Sequence, residues 1–146
     1  MEIAVLALGC FWGPEIKFGK LEGIIKTEVG YCGGNTDTTT YEKVCSGSTN
    51  HAEVVKLEFD PKKISYEEIL KYFFDIHNPT TLNAQGPDIG TQYRSEIFYI
   101  NEYQMKIAKK IIEENNKKLS GKVVTKLSKL KNYCKAEDYH QKYLEK

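Results

Sequence analysis

Ile3-Ala4-Val5-Leu6-Ala7-Leu8 is apolar at every position. A strand with one wet face alternates apolar and polar residues, whereas a strand buried on both faces has no reason to. The run therefore predicts a central strand covered on both sides. It is far too short for a membrane span, which needs roughly 18 apolar residues. Met1-Glu2-Ile3 places no basic region ahead of it, so no signal peptide is read and a cytoplasmic location is expected. The run ends at Gly9-Cys10, and Phe11-Trp12-Gly13-Pro14-Glu15 follows. Proline suits the first turn of a helix, which predicts a helix from about Gly13 to Lys20.

Downstream, Ile25, Thr27, Val29 and Tyr31 form a second strand pattern that stops at Gly33-Gly34-Asn35. Residues 35–52 are polar and read as a long loop, a kind of segment that is often functional in a small domain. A third strand is expected from about Glu53 to Phe59, closed by Asp60-Pro61. Ser65 and Glu68 have capping-box spacing and open a helix whose apolar stripe is Tyr66, Ile69, Leu70, Phe73 and His77, ending at Asn78-Pro79. Residues 78–93 read as a second irregular segment. A fourth strand (about Ser95 to Ile100), a helix (Glu102 to about Lys118), a short strand (about Val123 to Leu127) and a short helix (Ala136 to Leu144) complete the pattern. The expected architecture is α+β: a two-layer sandwich of helices over a mixed sheet, whose first six elements have the ferredoxin-like order βαββαβ. The chain of 146 residues suits one domain, residues 1–146.

At 40% hydrophobic and 28% charged residues, the composition excludes collagen, a coiled-coil rod and a wholly disordered chain. Residues 1–100 carry 9 Lys and Arg against 14 Asp and Glu, and residues 101–146 carry 12 against 6. The basic part is all lysine, and the only arginine is Arg94. Phosphate recognition favours arginine, so the excess reads as a solvated helix face and not as a nucleic-acid surface. None of the four cysteines, Cys10, Cys32, Cys45 and Cys134, forms a C-x-x-C pair. The spacing matches no zinc site, and free thiols are expected.

Cys10 draws the chemistry. It falls where a buried strand gives way to a helix, a position that exposes sulfur to backbone N–H groups and the positive helix end, both of which favour the thiolate. Phe11 and Trp12, the latter the only tryptophan, follow in a glycine-rich turn and can wall a pocket for a sulfur-bearing group. The alternative makes Cys10 structural and the aromatics core. Glu53 is the second feature. Strand alternation puts it on the apolar face of Val55, Leu57 and Phe59, where desolvation would keep it protonated and able to donate a proton; a strand starting one residue later would leave it solvated. His51, His77 and His140 read as structural.

The sequence resembles the A-type peptide methionine sulfoxide reductases, which act on the S epimer of methionine sulfoxide. The resemblance rests on blocks spread in order along the chain: Gly9-Cys10-Phe11-Trp12-Gly13, Gly30-Tyr31-Cys32-Gly33-Gly34, Tyr41-Glu42-Lys43-Val44-Cys45-Ser46-Gly47, His51-Ala52-Glu53, Asn78-Pro79-Thr80, Gln85-Gly86, Asp88 to Ser95, and Ala136 to Gln141. It implies Cys10 as nucleophile, Glu53 as the acid on the sulfoxide oxygen, Tyr41 and Tyr93 as hydroxyl donors to that oxygen, Asp88 as a supporting carboxylate, and Phe11 and Trp12 as walls around the S-methyl group. Cys10 would end the reaction as a sulfenic acid. No metal or organic cofactor is implied. The substrates would be peptide-bound or free methionine S-sulfoxide, and the reductant an external thiol.

Two departures matter. Many relatives continue into a glycine-rich tail with one or two resolving cysteines, whereas this chain stops at Leu144-Glu145-Lys146. The expectation is a one-cysteine cycle in which thioredoxin, glutaredoxin or glutathione reduces Cys10 directly. Cys32 and Cys134 are the candidates for an internal resolving thiol, and Cys45 reads as structural. Ala84 stands where relatives often carry a basic residue. Two rival functions remain at this stage: a thiol hydrolase or transferase using Cys10 with His51 or Glu53, and a non-enzymatic module that binds methionine-containing peptides.

Overall fold

A computed structural model describes residues 1–145; Lys146 lies outside the described residues. The elements in order are β1 (Glu2–Leu8), α1 (Trp12–Gly19), β2 (Ile24–Cys32), α2 (Tyr41–Ser46), β3 (Ala52–Phe59), α3 (Tyr66–Asp75), β4 (Ala84–Gln85), β5 (Asp88–Ile89), β6 (Ser95–Tyr99), α4 (Glu102–Lys118), β7 (Lys126–Lys129) and β8 (Cys134–Lys135). Three-residue 3-10 turns lie at Thr91–Tyr93, Asp138–His140 and Tyr143–Glu145. The architecture is α+β with a mixed sheet in the order β7-β6-β1-β3-β2-β8. Among the described residues only the β6–β7 pair of this sheet is parallel. β4 and β5 form a separate two-stranded hairpin.

β1 is central, between β3 and β6. Its continuous apolarity follows from two separate cores. Ala4, Leu6 and Leu8 join Val55, Leu57 and Phe59 under helix residues Phe18, Ile69, Leu70, Phe73, Ala108 and Ile111. Val5 and Ala7 join Cys32, Ala52, Val54 and Phe98 on the opposite face, where no helix packs; the chain near Leu130 and Tyr133 covers it instead. α3 starts with the expected capping box between Ser65 and Glu68. α4 turns Ala108 and Ile111 inward, while Lys106 and Lys110 reach Glu102 and Glu67 at its surface.

Four expectations are corrected. Residues 35–52 are not all loop. They contain α2, started by the Thr40 side chain accepting from the Lys43 N–H and stopped by Gly47 at φ +78°. β2 does not alternate from Ile25; the ladder is irregular between Ile24 and Lys26 and Ile25 points to solvent. The late strand forms at Lys126–Lys129, not at Val123, because Val123 packs against the helix-side core and Val124 N–H donates to the Pro79 carbonyl. Ala136–Leu144 is not an α-helix. The Ala136 N–H donates to the Val29 carbonyl, the Gln141 side chain pairs with both backbone groups of Val29, and the Lys142 N–H donates to the buried Glu15 carboxylate. These bonds to β2 and α1 hold the segment open, leaving room only for 3-10 turns.

Candidate functional site

β1 runs out at Leu8, and Gly9 turns the chain with φ +101°. A Cβ there would also lie 2.8 Å from the Gln85 side chain, so the β4–β5 hairpin can close over the strand end only because residue 9 is glycine. Cys10 comes next, half-buried, and α1 begins two residues later. The structure corrects the expectation of a lowered thiol pKa. Burial of the sulfur pushes the Cys10 thiol up to about 11; the Trp12 N–H opposes this, but the nearby Glu53 and Asp88 carboxyls add to it. One N–H and a helix of two turns do not offset desolvation and two acidic neighbours.

Glu53 sits at the start of β3, opposite Tyr31 in the ladder. It is 1% exposed. Its Oε1 accepts the Phe11 N–H at 3.3 Å, and its Oε2 has no hydrogen-bond partner among the described residues. Burial raises its pKa to about 8, against the opposing Phe11 N–H and helped by Asp88. The carboxyl on an apolar face is therefore what alternation suggested, and near neutrality it holds its proton. With Cys10 also protonated, the site carries two protons on neighbouring groups near neutrality.

Asp88 lies on β5, and Tyr93 at the end of the 3-10 turn before β6. Burial pushes the Tyr93 phenol up to about 12, and Glu53, Cys45, Asp88 and Cys10 add to the rise. Tyr41 opens α2, and burial, Cys45, Glu53 and Tyr93 push its phenol up as well. Both tyrosines are thus hydrogen-bond donors across the physiological range. Phe11 is buried, and Trp12 lies half-buried beside it.

Three residues with no assigned role shape this site. Glu137 accepts the Tyr31 hydroxyl at 2.8 Å and the Tyr41 N–H at 3.0 Å, pinning the start of α2 to β2. Burial raises its pKa, but these donors and its own backbone N–H outweigh it and hold the carboxyl below the usual range. His140 is buried in the Asp138–His140 turn and meets Trp12. Cys45, expected to be structural, is exposed one helical turn after Tyr41; burial raises its thiol pKa, and the neighbouring Tyr41 hydroxyl opposes the rise. The four-residue spacing puts Tyr41 and Cys45 on one face of α2, a proximity visible in the sequence only once α2 is recognised.

The other cysteines stand apart. Cys32 is fully buried in the opposite core, its thiol donating to the Lys131 carbonyl at 3.2 Å. Cys134, on β8, pairs with Tyr31 of β2, and its thiol lies 3.7 Å from both the Thr39 and the Lys135 carbonyls. His51 is buried with Nε2 3.2 Å from the Asn132 carbonyl. His77 bridges the Phe73 carbonyl and the Ser95 hydroxyl, and burial lowers its pKa to about 4. Among the described residues, no three His, Cys, Asp or Glu side chains gather in a way that can hold a metal ion, and no helix is long and apolar enough to cross a membrane.

Comparison with known proteins puts the chain among the oxidoreductases that act on oxidised sulfur. It belongs to the peptide methionine sulfoxide reductase family, whose model matches residues 2–146. The peptide methionine sulfoxide reductase MsrA of Pelagibacter ubique is 73% identical over 146 residues, covering 100% of this chain and 99% of that one. Methionine sulfoxide reductase A of Corynebacterium diphtheriae superimposes with a TM-score of 0.95 at 36% identity, over 99% of this chain and 74% of that one. Mxr1 of Saccharomyces cerevisiae, in a structure with Trx2, gives a TM-score of 0.70 at 29% identity, over 97% of this chain and 84% of that one.

Proposed function

We propose that this chain reduces methionine S-sulfoxide, free or in peptides, to methionine through a sulfenic acid on Cys10. The observation that carries the reading is Glu53, a buried carboxyl that holds its proton near neutrality beside the Cys10 thiol, with one oxygen unpartnered among the described residues. A sulfoxide oxygen departs poorly unless protonated. In this reading Glu53 donates its proton to that oxygen, with Tyr41 and Tyr93 as further donors and Asp88 supporting them, in a pocket where such bonds are strong. The Cys10 sulfur attacks the substrate sulfur as its proton passes to Glu53. The S–O bond breaks, oxygen ends on Cys10 as the sulfenic acid, and methionine leaves. Sulfur is reduced in the substrate and oxidised in the enzyme, and the net change is one oxygen atom transferred. Phe11 and Trp12 take the S-methyl group, so methyl and oxygen have separate subsites and the S epimer is preferred.

We further propose a one-cysteine cycle in which an external thiol (thioredoxin, glutaredoxin or glutathione) reduces Cys10 directly, without a metal or organic cofactor. The burial of Cys32 on the far side of the sheet and the turn of Cys134 toward Thr39 favour it, and the relative Mxr1 has been captured with Trx2. Residues 1–146 act as one domain in this reading. Four free thiols fit the reducing cytoplasm. The test is a single turnover without reductant. The expected result is one methionine per enzyme and a Cys10 adduct with dimedone. A disulfide from Cys10 to Cys32, Cys134 or Cys45, seen by mass spectrometry, would overturn the one-cysteine cycle, and the absence of methionine would overturn the reaction itself.

A further inference from the structure

The Trp12 indole is held from two sides by the C-terminal segment. Its Nε1–H donates to Nδ1 of His140 at 3.1 Å, and its ring stacks on Tyr143, centroids 3.9 Å apart and planes inclined by 13°. The acceptor role assigns the His140 tautomer: Nδ1 carries no proton, so the neutral ring carries its hydrogen on Nε2. His140 is 1% exposed. Its ring centroid lies 5.2 Å from that of Phe11 and 4.5 Å from that of Tyr41, so one side chain touches both aromatic walls and one of the two phenols. The segment that carries it does not depend on it for docking. Gln141 and Lys142 on its far side are tied to Val29 and Glu15 through three separate groups.

An indole has two side-chain torsions, and packing alone leaves a half-buried one free to rock about them. A hydrogen bond at the ring edge removes that freedom, because the edge swings through the largest arc. We propose that His140 is a positioning residue: by accepting the Trp12 indole N–H it fixes the plane of the wall against which the substrate's S-methyl group packs, and so sets the affinity for methionine sulfoxide. This rests on the reading of Trp12 as a substrate wall. His140 acts through Trp12, so its loss should move KM while leaving kcat nearly intact.

The experiment compares His140→Leu, which keeps bulk without an acceptor, with His140→Asn, whose Oδ1 can occupy the place of Nδ1. Both are also made in a Trp12→Phe background. N-acetyl methionine sulfoxide is the substrate and dithiothreitol the reductant. Because Trp12 is the only tryptophan, its fluorescence anisotropy reports indole mobility directly. A buried hydrogen bond is worth about tenfold in an equilibrium. We therefore expect His140→Leu to raise KM on the order of tenfold with kcat within about twofold, and to lower the anisotropy. His140→Asn should recover both, and His140→Leu should add nothing to KM after Trp12→Phe. Unchanged anisotropy in His140→Leu, no recovery in His140→Asn, or a fall in kcat at constant KM would each overturn the proposal. If His140→Leu does not fold, the failure of His140→Asn to keep the wild-type anisotropy decides against it. An unchanged KM in Trp12→Phe would instead remove the wall reading, and the anisotropy would still show whether His140 holds the indole.

Discussion

Replacing Glu53 by glutamine should make the protein more stable and nearly inactive, and the gain should grow with pH. The ordinary carboxyl pKa of 4.5 rises to about 8 in the fold, chiefly through burial. Between those values the folded chain keeps a proton that the unfolded chain has released. Stability from this group is complete below pH 4.5 and is lost progressively as the pH rises toward 8. At about 1.4 kcal/mol for each pKa unit, the full loss over the rise from 4.5 to about 8 is on the order of 5 kcal/mol, a large part of a typical folding free energy of about 5–15 kcal/mol. Glutamine has no proton to lose. Its Oε1 can keep the Phe11 N–H bond, so shape and donor pairing survive. Urea unfolding of both proteins at pH 4.5 and pH 8.5 should give midpoints that agree at the lower pH and separate by the equivalent of a few kcal/mol at the higher. Turnover of methionine sulfoxide should fall at least a hundredfold in Glu53→Gln at both, the usual size of a lost acid catalyst being about 10²–10⁴. A stability gap independent of pH would refute the claim that Glu53 is folded in its protonated form.

The Cys10 thiol, raised to about 11, should react with iodoacetamide at pH 8 about a hundredfold more slowly than in the urea-unfolded chain, and its rate should still be climbing at pH 10; peptide mapping reads this, and a plateau below pH 9 would contradict it. Arg94 and Glu96 form a buried ion pair at 2.6 Å, with Ser128 also donating to Glu96. Arg94→Ala leaves the carboxylate buried with the hydroxyl alone and should lose about 3–5 kcal/mol in denaturant unfolding, against no change if the pair is incidental. A methyl group at Gly34 would lie 2.1 Å from the His51 ring, which is buried and held near Asn132. Gly34→Ala should therefore lower the melting temperature by several degrees, corresponding to overpacking of about 1–3 kcal/mol, and an unchanged melting temperature would mean that the loop simply moves away.

The parts of the fold legible in the sequence are those where local and tertiary demands agree. β1 is apolar throughout because two cores share it, and α4 carries both its Asn101 cap and its inward stripe. Glu53 could be singled out because strand alternation sets a carboxyl on the apolar face, and the start of β3 at Ala52 decides between that placement and a solvated one. α2 was hidden by its setting. Its Thr40 cap and Gly47 stop are ordinary signals, but they lie in a run of threonines and serines that reads as loop, and only Val44 is buried. The C-terminal segment departs from its sequence pattern for the opposite reason. Ala136 to Leu144 has adequate helix propensity, which is overridden by bonds from Gln141 and Lys142 to residues more than a hundred positions away. That docking also places His140 and Glu137, and nothing in their own neighbourhood in the sequence announces it. The direction of the Cys10 pKa is equally out of reach of the sequence, since it depends on how deeply the fold buries the sulfur and on where β3 and β5 set Glu53 and Asp88.

The most direct test of the account is stereoresolved reduction of N-blocked methionine sulfoxide with dithiothreitol, for the wild-type chain beside Cys10→Ser. The account predicts that the S epimer alone is consumed, that the R epimer persists, and that Cys10→Ser consumes neither while remaining folded. Consumption of both epimers, of neither by folded protein with reduced Cys10, or of the S epimer by Cys10→Ser would contradict it.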